Sequence, residues 1–444
     1  MLLPVNGSTC ATRPCASVVI QAPASCRGQV LLTTGALIER IFYLANEDNP
    51  RHRPLNPSLV GDLAAIIGCV CLFGMTFSLY TPLLSLILEA RGASSTLIGS
   101  LAMAPALGVI LGSFFVPLCL QKVGGRGLLL AGVIIEIVLI LFLMSSDSFG
   151  WWFAIRFLGG FSGTIVFVVS ETWLNEITPD AIRGRVIGLY NTMLALSFAI
   201  GPLILSLTGI RGLLPFIIGV GLMSVAAVPL FVVRRYEPGP RENSSFGIIG
   251  FTRVAPLLVM ASFVVAFKEM ASVGLLPVYG VRSGLSESMS ALMLFYAAVG
   301  GAVLQFPIGW LSDHFNRVAV MAVCGVAGIA GAVVLPFVVA VPWLLWLTLF
   351  LWMGLFAGVY TVALTLAGQW FRGMDLATAM ASFGVFWGLG GLAGPLLSGY
   401  CMDLWNPHGL PLALGLAGLC FVIVTVVPSL RAPPRTLTAS RVAP

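Results

Sequence analysis

The sequence predicts an all-α membrane protein of twelve transmembrane helices, arranged as two six-helix pseudo-symmetric halves. Three observations lead to this prediction. Of the 444 residues, 58% are hydrophobic and only 9% are charged, whereas soluble proteins carry roughly 25% charged residues. The apolar residues fall in blocks long enough to cross a bilayer, which takes about 20 residues of helix. The second half of the chain also repeats features of the first.

Twelve apolar blocks make up the membrane part of the chain. They lack the two-residue alternation of a transmembrane β-strand, so helical spans are predicted. The predicted spans are 59–88, 96–120, 127–145, 151–174, 184–207, 212–233, 253–280, 290–311, 317–339, 343–368, 376–402 and 409–429.

Basic residues in the loops predict the orientation of the spans. With both termini inside, the inner loops and the inner flanks of the spans carry fifteen Arg or Lys residues, and the outer loops carry only Arg91, Arg211 and Arg282. This imbalance follows the positive-inside rule. We therefore expect a multi-pass protein of the inner (plasma) membrane with both termini in the cytoplasm.

The composition also predicts the domain boundaries. Residues 1–58 are rich in Pro, Ser, Thr and Arg, and their apolar stretches are too short to span a membrane. They are interpreted as a tail that is disordered or not translated. The remaining predicted segments are an N-terminal half at 59–233, a cytoplasmic linker at 234–252, a C-terminal half at 253–430 and a cytoplasmic tail at 431–444.

A Gly-Pro pair recurs at corresponding positions of the two halves. Gly201-Pro202 lies in span five and Gly394-Pro395 in span eleven, each followed by Leu and Ser residues. We interpret these residues as a helix-packing motif. A duplicated six-plus-six arrangement is typical of alternating-access carriers, whose site lies between the halves near the midplane.

Short motifs give the chain a family resemblance. Gly309-Trp-Leu311-Ser-Asp313, followed by Arg317, resembles the G-x-L-x-D loop motif of the major facilitator superfamily (MFS). Arg156-Phe-Leu-Gly-Gly160 and the two Gly-Pro pairs resemble further motifs of that superfamily. The equivalent loop in the first half, between Gly112 and Arg126, lacks the acidic residue. The resemblance, to an uncharacterised bacterial branch, covers about residues 59–430 and implies the MFS fold and secondary transport.

Lys268 and Glu269 lie near the middle of span seven, which lines the central cavity in the family that this chain resembles. Intramembrane charges are costly and usually face a cavity or a partner. In one interpretation Lys268 binds an anionic group of the substrate, and Glu269 binds a proton. In the other, both residues form structural ion pairs with neighbouring helices.

Glu136 in span three and Arg156 in span four also lie within the membrane. An interhelical ion pair that neutralises both is one interpretation. The alternative follows the superfamily resemblance, which implies a part in proton transfer for the span-four arginine.

A second group of charges lies at the cytoplasmic ends of the spans and suggests a gate. A gate would break and re-form ion pairs in each transport cycle, whereas static anchoring of helix ends at the headgroups is the simpler alternative. The gate candidates are Glu171, Arg183, Arg185, Asp313 and Arg317.

Tyr80 in span one and Tyr360 in span ten are additional candidates for the central site. Each is a polar side chain in an apolar helix that belongs to the predicted cavity. Hydrogen bonding between helices is the alternative role for such residues.

Several classes of function are not supported by the sequence. It contains no G-x-x-x-x-G-K-[ST] phosphate loop, no H-E-x-x-H motif and no Cys/His cluster with metal-ligand spacing. We therefore predict no enzyme activity, cofactor, metal or nucleic-acid partner. The prediction is a monomeric, proton-coupled carrier of a small molecule with an acidic group or a drug-like character. A non-transporting lipid-handling or receptor protein on the same scaffold is the alternative.

Overall fold

Every regular element in the described part of the chain is an α-helix. The computed structural model describes residues 57–231, 233, 248–371 and 373–427, so most of the predicted tails and linker lies outside it. The N-terminal half contains α1 Pro57–Ala90, α2 Ser95–Val123, α3 Gly125–Leu143, α4 Phe149–Ile177, α5 Asp180–Thr208 and α6 Leu214–Leu230. A short helix, Ile248–Val254, precedes α7 Pro256–Arg282, α8 Glu287–His314, α9 Arg317–Val338, α10 Pro342–Trp370, α11 Gly373–Leu404 and α12 Gly409–Val426.

Eleven of these helices are long and apolar enough to cross a membrane. The sixth predicted span corresponds to α6, which is apolar but shorter, with 17 residues. Most of the other helices extend a few residues beyond the predicted spans, because polar residues at their ends continue the helix. The all-helical membrane fold is confirmed.

Polar caps set where several helices begin. The side chain of Ser94 accepts a hydrogen bond from the backbone N–H of Leu97 at the start of α2. Ser286 does the same for Met289 at the start of α8, the corresponding helix of the other half. Such caps satisfy backbone donors that have no partner within the helix. The duplicated halves therefore share a local signal for helix initiation.

The helices of each half pack in the same pattern. In the N-terminal half, α1 contacts α5 and α6, α2 contacts α4, and α3 contacts α4 and α6. In the C-terminal half, α7 contacts α11 and α12, α8 contacts α10, and α9 contacts α10 and α12. Between the halves, α2 packs on α11, α5 on α8, and α1 on α7. This correspondence is a pseudo-twofold relation between the halves.

The Gly-Pro glycines lie where two helices of one half approach closely. A Cβ on Gly201 of α5 would lie 2.1 Å from the hydroxyl oxygen of Ser78 on α1. A Cβ on Gly394 of α11 would lie 2.2 Å from the backbone oxygen of Phe267 on α7. Only glycine allows these approaches, so the two Gly-Pro pairs serve equivalent contacts, α1–α5 and α7–α11.

The two ends of the bundle differ in their contacts. We name the end that carries the α1–α2, α7–α8 and α11–α12 loops the Arg282 end, and the opposite end, with the α8–α9 loop, the Arg317 end. From the Arg282 end, α2 and α11 stay in contact from Ser95 against Gly399 as far as Ile110 against Gly388. Nearer the Arg317 end, Gly384 and Ala381 of α11 are exposed. The halves thus meet at the Arg282 end and separate along α2 and α11 towards the other.

Candidate functional site

Glu136 and Arg156 form a buried charge cluster inside the N-terminal half. The two residues are 7% and 6% exposed, and they interact electrostatically without a direct ion pair. The Arg156 guanidinium donates a hydrogen bond to the Thr81 hydroxyl and lies 5.2 Å from the centre of the Phe77 ring. Glu136 Oε2 is buried without a hydrogen-bond partner. The cluster links α1, α3 and α4, with a polar atom left unsatisfied.

Tyr80 points away from the centre of the molecule. Its hydroxyl donates to the backbone oxygen of Phe216 on α6 at 3.0 Å, and its ring stacks on the Phe216 ring at 5.7 Å between centroids. The side chain is 1% exposed. This geometry joins α1 to α6 and leaves the hydroxyl occupied.

Lys268 is directed into the C-terminal half. Its ammonium donates to the backbone oxygen of Met353 on α10 at 3.4 Å and lies 5.4 Å from the centre of the Phe356 ring. The residue is 7% exposed. Hydrogen bonding and the cation–π contact hold this charge against α10.

Glu269 points elsewhere, because consecutive residues lie about 100° apart around a helix. It is half-buried, and no described residue gives it a hydrogen bond or an ion pair. It stands thirteen residues from either end of α7, or about 20 Å from each. A carboxylate without a hydrogen bond or direct ion pair to a described residue therefore lies at mid-depth, with Lys268 as an electrostatic neighbour.

Tyr360 connects Glu269 to the opposite half. It interacts electrostatically with Glu269 and with Glu171 of α4. Tyr360 is ten residues from the Arg317 end of α10, and Glu171 is six from the same end of α4, or about 15 and 9 Å. Three titratable groups from both halves are thus near enough to interact, at increasing depth. We call Glu171, Glu269 and Tyr360 the central site.

The aromatic wall of the central site comes from α10 and α11. The Tyr360 ring lies 5.8 Å from the Phe383 ring and 5.1 Å from the Trp387 ring between centroids, both edge to face. Beside it, Thr361 donates a hydrogen bond to Gln305 of α8. Sequence reasoning missed Phe383 and Trp387, because aromatic residues are common on every apolar helix here.

Several hydrogen bonds of the predicted gate residues lie within one half of the molecule. Glu171 accepts a hydrogen bond from the Tyr190 hydroxyl at 3.4 Å, and Arg183 donates to backbone oxygens at the end of α4. Arg317 pairs with Asp313 at 3.2 Å, one helical turn earlier, and Arg185 is exposed.

Several direct polar contacts join the two halves at the Arg282 end. Arg282 of α7 binds Glu89 of α1 through two hydrogen bonds of 2.9 and 2.7 Å, and both side chains are 15% exposed. The same guanidinium donates to the hydroxyl of Ser95 at 2.6 Å. A bidentate arginine–carboxylate pair is a strong and directional contact.

Asp403 at the end of α11 adds a second contact of this kind. Its carboxylate accepts hydrogen bonds from the backbone N–H groups of Ser95 and Thr96 at 2.7 and 2.8 Å, and from the Thr96 hydroxyl at 2.6 Å. The first N–H groups of a helix lack intrahelical partners and favour a negative charge. We call Glu89, Ser95, Thr96, Arg282 and Asp403 the latch.

The latch was not predicted from the sequence, in which Arg282 was considered only as a basic residue of an outer loop. Its partners come from helices that are distant in the chain, with Glu89 and Arg282 separated by 193 positions. One usable signal was present: spans one and seven both leave the membrane after a proline, and they end at Glu89 and Arg282.

Metal binding finds no support in the described ranges. In residues 57–231, 233, 248–371 and 373–427, no group of three or more His, Cys, Asp or Glu side chains is arranged to hold an ion. The cysteines there are free thiols.

Two related six-helix halves around a central charged site define a multi-pass membrane transporter. The family model of the Major Facilitator Superfamily matches residues 66–301 and 258–443. The chain belongs to this superfamily, and the resemblance predicted from its motifs is confirmed.

Comparison with known proteins gives bacterial relatives of undetermined substrate. The uncharacterized MFS-type transporter YfkF of Bacillus subtilis is 27% identical over 394 residues, which cover 84% of this chain and 97% of that protein. An uncharacterized MFS-type transporter of Yersinia pestis is 23% identical over 359 residues, covering 80% and 92%.

Solved structures share the fold at low identity. A variant of the nucleoside transporter NupG is 14% identical, with a TM-score of 0.67 over 83% of this chain and 98% of that one. A bacterial homologue of the human lysosomal transporter Spinster, inward-facing and unoccupied, is 15% identical, with a TM-score of 0.65 over 88% and 100%. The MFS fold is thereby confirmed.

Proposed function

We propose that this protein is a proton-coupled secondary transporter that moves a small molecule by alternating access. The observation that carries the proposal is the position of Glu269. This carboxylate has no hydrogen bond or direct ion pair in the described residues and lies at mid-depth, between halves that are latched at one end and separate towards the other. Carriers with duplicated halves place their site at this position.

The described conformation is one of the two states that such a cycle needs. In the other state the latch opens, and α2 and α11 close towards the Arg317 end. Close glycine contacts inside each half, at Gly201 and Gly394, keep α1 with α5 and α7 with α11. Each half can then rotate as a unit, and the interface between the halves is rearranged.

Proton coupling is assigned to Glu269. A carboxylate changes its affinity for protons when water enters or leaves its surroundings. Alternating access changes the exposure of the central site in this way. Glu171 and Tyr360 lie between Glu269 and the Arg317 end, so protons would reach Glu269 along them from that end.

The loop charges favour a cytoplasmic position for the Arg317 end. Most basic loop residues lie at that end, and the inner membrane is the site that the positive-inside rule favours. Both termini are then cytoplasmic. A single chain supplies both halves of the pathway, so the proposed transporter acts as a monomer.

Double electron–electron resonance in lipid nanodiscs tests alternating access. Spin labels at Glu176 and Gln369, exposed residues of opposite halves, report the Arg317 end. Labels at Arg211 and Glu287 report the Arg282 end. Each pair is introduced as cysteines into a variant whose native cysteines are replaced by serine.

The two distances are expected to change in opposite directions between alkaline and acidic pH. Glu269→Gln, which imitates the protonated carboxylate, should reproduce the acidic distribution. Labels at Lys122 and Glu176, both in the N-terminal half, provide a distance that stays constant. Two fixed distances, or a parallel change in both, would contradict alternating access and favour a non-transporting scaffold.

A further inference from the structure

We propose that the central site binds a lipophilic organic cation that carries aromatic groups. This inference rests on the proposed transport function and adds the chemical class of the substrate. It follows from three features of the described residues: two accessible carboxylates, an adjacent aromatic wall, and a lysine whose charge is directed away.

Both carboxylates of the central site are accessible. Glu269 is half-buried and Glu171 is exposed, although each lies within a membrane-spanning helix. Glu171 has one weak hydrogen bond, from the Tyr190 hydroxyl at 3.4 Å. Intramembrane carboxylates usually pair with an opposite charge; neither carboxylate makes a direct ion pair with a described residue, and a bound cation would supply one.

Lys268 interacts electrostatically with Glu269, but its ammonium is held on α10. Its ammonium is engaged by the Met353 backbone oxygen and covered by the Phe356 ring. An anionic substrate could reach it only if the lysine left both contacts and crossed to the side of α7 on which Glu269 lies. The geometry therefore favours a positively charged substrate over the acidic one that Lys268 suggested in the sequence.

Aromatic rings lie beside the carboxylates. Tyr360, which interacts electrostatically with both Glu171 and Glu269, packs edge to face against Phe383 and Trp387. Aromatic faces attract organic cations through the negative potential of the ring, and more strongly where water is excluded. The same surfaces pack against the apolar groups of the ligand, so charge and hydrophobicity are recognised together.

Equilibrium binding of two probes of matched shape and opposite charge tests the proposal. Radiolabelled tetraphenylphosphonium is the cation and tetraphenylborate is the anion, each measured with the purified full-length protein in nanodiscs and corrected for empty nanodiscs. We expect saturable binding of the cation at least tenfold tighter than that of the anion. Equal affinities, tighter anion binding or no saturable cation binding would overturn the proposal.

Variants locate the binding at the central site. Glu269→Gln should weaken tetraphenylphosphonium binding at least tenfold, and Glu171→Gln, at a more exposed position, about threefold. Tyr360→Leu should weaken binding whereas Tyr360→Phe should not, since the ring and not the hydroxyl makes the contact. Glu176→Gln, an exposed carboxylate on α4, is the matched control. Unchanged affinity in Glu269→Gln would place the cation elsewhere and refute the assignment.

Effects of the variants on binding can be distinguished from effects on folding and on transport. Size-exclusion profiles and melting temperatures of the variants show whether weaker binding reflects loss of structure, and Glu269→Asp, which keeps the charge, should retain most of the affinity. Binding at equilibrium requires no transport cycle. If the cation is not preferred but the two spin-label distances still change in opposite directions, only the substrate class is rejected. If the cation is preferred but the distances do not change, only alternating access is rejected.

Discussion

The latch gives the strongest prediction about conformational balance. Glu89→Gln removes the carboxylate that binds Arg282 across the two halves while it keeps the shape of the side chain. The arginine would retain its contacts with Ser95 and with the Asn406 side chain, so the loss is confined to the bidentate pair. The state that is closed at the Arg282 end should then be less populated.

The expected change in the ratio of latched to unlatched molecules follows from the burial of the Glu89–Arg282 pair. Truncating one member of a desolvated, hydrogen-bonded charge pair costs about 2–5 kcal/mol. Since each side chain is 15% exposed, solvent screens part of the interaction and the lower value of about 2 kcal/mol applies. At about 1.4 kcal/mol for each factor of ten, the ratio of latched to unlatched molecules falls roughly thirtyfold.

Cysteine labelling measures this ratio even when the unlatched state is rare. Ala102 on α2 is 8% exposed and packs against Gly274 of α7 near the latch. In a background without native cysteines, Ala102→Cys should react with a water-soluble maleimide only in unlatched molecules. Glu89→Gln should raise the labelling rate about thirtyfold.

The control is a similar ion pair that does not join the halves. Arg91 and Asp147 are 3.0 Å apart, more exposed, and both belong to the N-terminal half. Asp147→Asn should leave the labelling rate unchanged. If Glu89→Gln labels at the same rate as Asp147→Asn, the pair does not hold the Arg282 end closed and our account of the latch is wrong.

Two further outcomes concern packing and the Arg317 end. Gly394→Ala should lower the melting temperature markedly, because the new Cβ would meet the backbone oxygen of Phe267 at 2.2 Å. Gly384→Ala on the same helix is the control, because a Cβ there has open space and should not lower the melting temperature. Equal melting temperatures of the two variants would refute the close approach at Gly394. Asp313→Asn should slow transport while it changes stability by less than about 1 kcal/mol, since the Asp313 side chain is 64% exposed in its pair with Arg317. Unchanged turnover of Asp313→Asn in a flux assay would refute the proposed gate.

The sequence predicts most of the architecture because the bilayer imposes simple rules. Length and apolarity locate the spans, and loop charge predicts their orientation. The mid-depth position of Glu269 follows from counting along span seven. The Gly-Pro pairs were also informative, because two copies at corresponding positions indicate equivalent close contacts.

Side-chain direction was harder to predict, and the reason is physical. A helix that is apolar on all sides carries no sequence signal for its rotation about its own axis. Tyr80 was a candidate for the central site, yet its hydroxyl binds α6. Lys268 and Glu269 are adjacent in sequence, and only the packing of α7 on α10 shows which of them reaches the centre. Contacts between distant helices, as in the latch, cannot be read from local patterns.

Cation flux in liposomes tests the central claim most directly. Purified protein is reconstituted, a pH gradient is imposed, and the movement of ethidium, a planar aromatic cation, is followed by its fluorescence on enclosed DNA. Our account predicts gradient-dependent flux above that of empty liposomes for wild type and Glu176→Gln, and background flux for Glu269→Gln. Flux equal to empty liposomes in the wild type, or undiminished flux in Glu269→Gln, would contradict it.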